Sequence, residues 1–171
     1  SNQSPHITKL IISDNLNAGG LRYGEDFGIP AVAISLPDSV SKLEQRTMHE
    51  NLIHDTLMNY DIELVVLSGY MRILTSTFVS KWKGRLINIH PSLLPKYPGA
   101  NAHRDALADG ANITGCTVHL VDEGVDTGEI IAQEEVEILD GDTIEELQER
   151  VKKIEHQLYP KVLDTFCSKG V

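Results

Sequence analysis

The sequence predicts an α/β fold: a doubly wound, mostly parallel sheet with an antiparallel C-terminal part and a long C-terminal helix. Three observations predict it. In the first half, short apolar runs alternate with stretches of helical periodicity, the order that builds a parallel sheet with helices on both faces. Two later runs, 115–121 and 129–138, are joined by one tight turn and so pair antiparallel. A capped helical pattern then runs almost to the C-terminus.

Taken in order, Ser1 to His6 is a polar end, and Lys9 to Ser13 is a short apolar strand. Ala18 to Phe27 reads as a helix weakened by three glycines and ended by Gly28, with Pro30 beyond it. Ala31 to Ile34 is a second strand. Ser41 to Tyr60 is a long helix, with Leu43, Met48, Leu52, Ile53 and Leu57 near one face. Ile62 to Ser68 is a continuous apolar run, as in a parallel strand covered on both sides. Thr75 to Trp82 is a short helix capped by Thr75 or Ser76. Leu86 to His90 is a strand that must stop at Pro91, because proline cannot donate to the ladder. Ala102 to Ala108 is a short helix. Thr143 to Cys167 is the last helix, with Thr143 and Glu146 as its capping box. Pro160 is expected to kink or break it near His156. One domain over residues 1–171 accommodates the length, with enough chain for a sizeable core.

Chemistry concentrates at the end of the fourth strand. Asn88 and His90 are two apart, so they project from one face of it. An amide can donate to a developing oxyanion, and an imidazole moves protons near neutral pH. Two residues are a weak motif, and a buried hydrogen-bonded Asn beside a loop His fits the same spacing. Ligands of parallel sheets bind outside the carboxyl ends of the strands. The loop after Ser68 and the loop after His90 therefore face one crevice.

The surrounding residues make the pattern specific. The run Asn88-Ile89-His90-Pro91-Ser92-Leu93-Leu94-Pro95, then Gly99-Ala100-Asn101-Ala102-His103, Gly115-Cys116-Thr117-Val118-His119 and Val125-Asp126-Thr127-Gly128, resembles the folate-dependent formyltransferases. Within them it is most similar to the branch that formylates glycinamide ribonucleotide in purine synthesis. The resemblance covers nearly the whole chain, from Leu10 onward. It implies a Rossmann-like fold, 10-formyltetrahydrofolate as cosubstrate and no metal.

It also implies roles. Asn88, His90 and Asp126 would be catalytic, with Asp126 holding the imidazole. The folate would lie along Met71, Arg72, Ile73 and Leu74 and along Val121, Asp122 and Val125, with Leu67, Tyr70 and Val79 as apolar wall. Arg46 matches a position near the ligands' anionic ends. The ribonucleotide would meet Met71 and Pro91 through their carbonyls, and Lys152 and Glu155 through side chains. His119 would be a supporting residue, and His103 a loop residue near the site. Each has a plainer reading: core for Leu67 and Val79, a solvated helix face for Arg46, a surface ion pair for Lys152 and Glu155, an ordinary loop aspartate for Asp126.

The family's members open with an apolar strand that ends in a glycine-rich G-x-G-S-N loop, which holds the ribonucleotide phosphate. Here only Ser1-Asn2 precedes Gln3, so that strand and loop are expected to be missing from this sequence. Two alternatives to the transferase stand: a deformylase of the same cosubstrate and, resting on the missing loop, an inactive folate-binding remnant. One domain of a larger multifunctional polypeptide is a further expectation.

Bulk properties narrow the partners. The net charge is −10, which argues against nucleic acid, whose affinity comes from Lys and Arg. It leaves room for a small anionic substrate. Two cysteines, Cys116 and Cys167, are too few for a disulfide scaffold and point to a reduced, cytoplasmic setting. No apolar run approaches membrane-spanning length, and no signal peptide is visible. The histidines lack metal-ligand spacing.

Overall fold

A computed structural model describes residues 4–38 and 41–170. Ser1 and Asn2, which stand where the glycine-rich loop would end, lie outside the described residues. The chain falls into two compact units, one over residues 4–63 and one beginning at Leu64.

The first unit holds β1 (Ile11–Ser13), α1 (Arg22–Phe27), β2 (Ala31–Ala33) and α2 (Lys42–Asn59). A 3₁₀ turn over Gly19–Leu21 precedes α1, so the glycine-weakened stretch supports only a short α-helix. Gly28 ends α1 in the left-handed conformation, at φ 67°. β1 and β2 pair in parallel, Ile11 opposite Ala31. Ser41 caps α2 in a full capping box with Glu44. The buried face of α2 differs from the apolar face expected of it. Leu43, Met48 and Leu52 are exposed, while His49, Glu50, Ile53 and Leu57 are buried. Residues 49, 53 and 57 form one stripe at four-residue spacing, and that stripe starts on a polar residue, which an apolar count overlooks. The His49 ring is held by its Nε2, 2.6 Å from the Ile34 carbonyl.

The second unit holds β3 (Val65–Leu67), α3 (Ser76–Lys81), β4 (Leu86–His90), α4 (Ala102–Ala108), β5 (Ile113–Leu120), β6 (Ile130–Glu137) and α5 (Ile144–Ser168). Its sheet has the order β3-β4-β5-β6, parallel at the first pair and antiparallel at the other two. The expected mixed sheet is therefore present, with β1 and β2 pairing as a second sheet. β3 is shorter than its apolar run. It is an edge strand, and Val66 is 40% exposed, so the expected cover on both sides is absent in this unit.

α5 packs along β5 and β6 and makes the core of this unit. Tyr159 and Val162 join Ile87 and Val118 in one cluster, and Leu147 and Val151 join Cys116 and Val136 in another. Ile89 and Leu158 touch both. Each such buried side chain contributes about 1.5–3 kcal/mol. Pro160 does not break α5, contrary to expectation: the helix runs from 144 to 168. Buried Tyr159 and Val162 flank the proline, and this packing offsets one lost backbone hydrogen bond. The Tyr159 hydroxyl shares its proton between the carbonyls of Leu67, at 2.8 Å, and Ile87, at 3.1 Å. It ties α5 to β3 and β4 one residue before Asn88. No helix among the described residues is long and apolar enough to cross a membrane.

Candidate active site

β4 carries Asn88 and His90 on the face of the sheet away from α5. On β5, His119 lies opposite Asn88 and Thr117 opposite His90. A register break between Val118 and His119 re-aims the end of β5, a device that recurs beside functional sites.

The loop after His90 is locked from beneath. The Thr117 hydroxyl donates to the Ser92 carbonyl at 2.6 Å and accepts from the Leu94 N–H at 3.0 Å. The Gln133 amide reaches both the Thr117 hydroxyl and the Leu94 carbonyl. The Ser92 hydroxyl donates to the Lys96 carbonyl. Gly115 is required on β5, because a Cβ there would collide with Leu93 and the Glu134 carbonyl. These contacts hold Tyr97 at φ 53°, a left-handed conformation that is costly for a non-glycine residue. The Tyr97 hydroxyl donates to Asp109 at 2.6 Å, which pushes its own pKa up.

The Tyr97 carbonyl receives the His90 Nε2–H at 2.8 Å. On the other side, His90 Nδ1 lies 3.3 Å from Asp126 Oδ2. Both ring nitrogens thus face acceptors, an arrangement suited to the imidazolium. The pair is nearly dry, with the His90 and Asp126 side chains 6% and 13% exposed. Asp126 is also left-handed, at φ 54°, and its Oδ2 accepts the Gly99 N–H at 2.8 Å.

His119 completes the group. Its Nδ1–H donates to the Leu120 carbonyl at 2.8 Å, which leaves Nε2 as an acceptor. Nε2 takes one amide hydrogen of Asn88 at 3.3 Å. The second amide hydrogen of Asn88 remains for a ligand. Asp126 Oδ1 is 3.7 Å from His119 Nε2, beyond hydrogen-bond range.

The structure thus brings Asn88, His90, His119 and Asp126 together. The other predicted residues stand in varied states. Met71, Arg72 and Ile73 are exposed; Leu67, Tyr70, Leu74, Pro91 and Val121 are half-buried. Val79 is only 4% exposed and offers little surface to a ligand. Asp122 and Val125 are exposed in the loop that carries Asp126. Lys152 is exposed and lies 3.6 Å from Glu149, so its ion pair is with that residue rather than with Glu155. Glu155 is half-buried, and burial raises its pKa against the opposing pull of His156, His90 and Lys152. Arg46 is exposed on α2 in the first unit. His103 stands on the first turn of α4 rather than in a loop; its Nδ1 is buried without a hydrogen-bond partner, and burial, then His90, lowers its pKa. Burial, with Glu155 and Glu134 near, pushes the Cys116 thiol up to about 12, so it is inert.

Sequence reasoning missed the Tyr97 carbonyl, the Gly99 N–H and the Thr117–Gln133 lock. Backbone groups carry no residue signature. Thr117 and Gln133 become visible only once the strand register is known.

A model of the formyl transferase family matches residues 1–163. The trifunctional purine biosynthetic protein adenosine-3 of Chironomus tentans is 47% identical over 159 residues, which is 93% of this chain and 11% of that protein. The phosphoribosylglycinamide formyltransferase of Bacillus subtilis is 42% identical over 154 residues, 90% of this chain and 77% of that protein. The crystal structure of phosphoribosylglycinamide formyltransferase from Bacillus halodurans superposes with a TM-score of 0.89 at 39% identity, covering 99% of this chain and 85% of that one. The chain therefore spans a small part of the trifunctional relatives and about three quarters of the B. subtilis protein.

Proposed function

This chain belongs to the formyl transferase family, and from that premise we propose that it transfers the formyl group of 10-formyltetrahydrofolate to the amine of glycinamide ribonucleotide. The observation that carries the reading is the convergence of Asn88, His90 and Asp126 in one nearly dry cluster. The names of the relatives support the choice of acceptor.

In the reaction a bond forms between the amine nitrogen and the formyl carbon, and the bond from that carbon to the folate nitrogen breaks. Negative charge grows on the formyl oxygen. The free amide hydrogen of Asn88 donates to it, and the His90 imidazolium supplies positive charge in a site of low dielectric. The Nδ1–H, at 3.3 Å from Asp126, is the weaker-held of the two ring donors and the one available to an incoming oxygen. Asp126 Oδ1 accepts the amine's proton, directly or through water, while the folate nitrogen gains one. His119 keeps the Asn88 amide turned with its nitrogen toward the oxygen. The loops 71–74 and 121–125 are the folate walls of this reading, with Leu67, Tyr70 and Val79 beside them. Met71, Pro91, Lys152 and Glu155 meet the ribonucleotide. The setting is a reduced cytoplasm, and the match to trifunctional proteins supports a place as one domain of a multifunctional polypeptide.

A coupled assay tests it. Release of tetrahydrofolate only when the ribonucleotide is present, with formylated product in equal amount, is the expected result. Release with water alone identifies a deformylase, and folate binding without turnover identifies a remnant; either outcome overturns the proposal.

A further inference from the structure

Asp126 has to hold a left-handed backbone in a loop that is mostly exposed. Under the proposed function its carboxylate takes up a proton, so it is a poor anchor for its own backbone. The loop carries another anchor. Asp122 Oδ1 accepts the Thr127 hydroxyl at 2.7 Å and the Gly124 N–H at 3.0 Å. The Thr127 side chain crosses the loop so closely that a Cβ on Gly124 would collide with its hydroxyl. Behind it, a Cβ on Gly128 would collide with the Leu120 carbonyl, and the Leu120 N–H donates to Glu129 at 2.9 Å. The loop is thus closed twice: by backbone at its base, and by the Asp122–Thr127 link immediately beside Asp126.

We propose that Thr127 and Asp122 are positioning residues for the transfer, a side-chain latch that holds the Asp126 carboxylate against His90 and Gly99. A hydroxyl one residue past the carboxylate fixes the Asp126 peptide in the conformation that aims Oδ2 at His90 Nδ1. The role does not depend on the ionisation of Asp126. It also gives the Asp122 side chain a task separate from the folate wall proposed for its loop. The inference rests on the formyl-transfer reading.

The test uses the full chain and Thr127→Val, which keeps shape and removes the hydroxyl. It should lower kcat about 10-fold with little change in the ribonucleotide KM, because a small misplacement of a catalytic group costs rate rather than affinity. Thr127→Ser should recover the loss. Asp122→Ala should match Thr127→Val, and the double variant should be no slower than either. In an Asp126→Asn background, Thr127→Val should slow turnover no further, which a general loss of structure would not reproduce. Wild-type kcat in Thr127→Val, no recovery with Thr127→Ser, or an equal further loss in the Asp126→Asn background each overturns the proposal. An inactive wild type fails the functional reading instead, so the two failures are told apart.

Discussion

Two loops grip the same imidazole, and they are held in different ways. Residues 91–99 are fixed by the sheet beneath them: Thr117 and Gln133 satisfy their backbone, and Ser92 and Leu94 are buried. Residues 121–128 are largely exposed and held by their own links, Asp122 to Thr127 and Leu120 to Glu129. Each presents a left-handed non-glycine residue to His90: Tyr97 from the first, Asp126 from the second. The Tyr97 side makes a 2.8 Å contact and the Asp126 side a 3.3 Å one. The scaffold thus sets the ring firmly, and the looser, self-held loop supplies Asp126, the group that exchanges protons under the proposed function. Damage to the first loop should reach the fold, and damage to the second should reach only the rate.

The largest expected effect is on the second loop. Asp126→Asn removes the negative partner of His90 and, under the proposed function, the proton acceptor with it. We expect a loss in kcat on the order of 10²- to 10³-fold, the range of a single removed electrostatic contributor. The melting temperature should stay close to wild type. A variant that melts much earlier would break the comparison, because the loop would then be holding the fold.

Next comes the first loop. Thr117→Val strands the Ser92 carbonyl, the Leu94 N–H and one donor of Gln133. A buried group left unpaired costs roughly 1–3 kcal/mol. Urea denaturation should show at least one such loss, and activity should fall with it. Unchanged stability would mean that the loop is not held from below.

How far these loops could be read beforehand differs as well. β4 and α4 were legible residue for residue, since a proline stops the one and a compact helical run makes the other. The capping box at Thr143 was legible because its residues are local. Asn88 and His90 were visible as a pair by strand period, but Asp126 came only through resemblance, since 36 positions separate it from His90. The grip of Tyr97 and Gly99 was not legible, because it uses backbone atoms. The face of α2 was misread because its buried residues include His49 and Glu50. The fate of Pro160 was misread because packing on the sheet, a tertiary effect, carries α5 through.

A third loop, between β6 and α5, sharpens the contrast because it is held by a charged link to the helix that follows it. Asp142 accepts Arg150 at 2.6 and 2.7 Å and the Leu139 N–H at 2.8 Å. The Arg150 hydrogen bonds, then Leu139, lower its pKa from 3.8 to about 2. A depressed carboxyl stabilises the fold above its unfolded value and loses that contribution as pH falls through its folded one. Wild type should therefore lose stability between about pH 4 and 2, relative to Asp142→Asn, and the two should converge below that window. Melting curves across pH check it. Equal slopes would remove Asp142 from the acid response.

The smallest effect concerns Glu155, on α5 near the same imidazole. Burial raises its pKa, and the opposing attraction of His156, His90 and Lys152 does not cancel the rise. Here the sign reverses. A carboxyl with a raised folded pKa binds its proton more tightly in the folded state, so stability falls as pH rises from the ordinary value of 4.5 through the folded one. Above that window the ionised Glu155 costs the fold. Glu155→Gln should therefore melt slightly higher than wild type at neutral pH and alike below pH 4. Under the proposed function the same change should raise the ribonucleotide KM, since a neutral amide replaces a charged contact. Stability gained with affinity lost is the signature of a group kept for binding. A variant less stable than wild type at neutral pH would show that Glu155 serves the fold, and would place α5 with the scaffold-held side of the site rather than with its working groups.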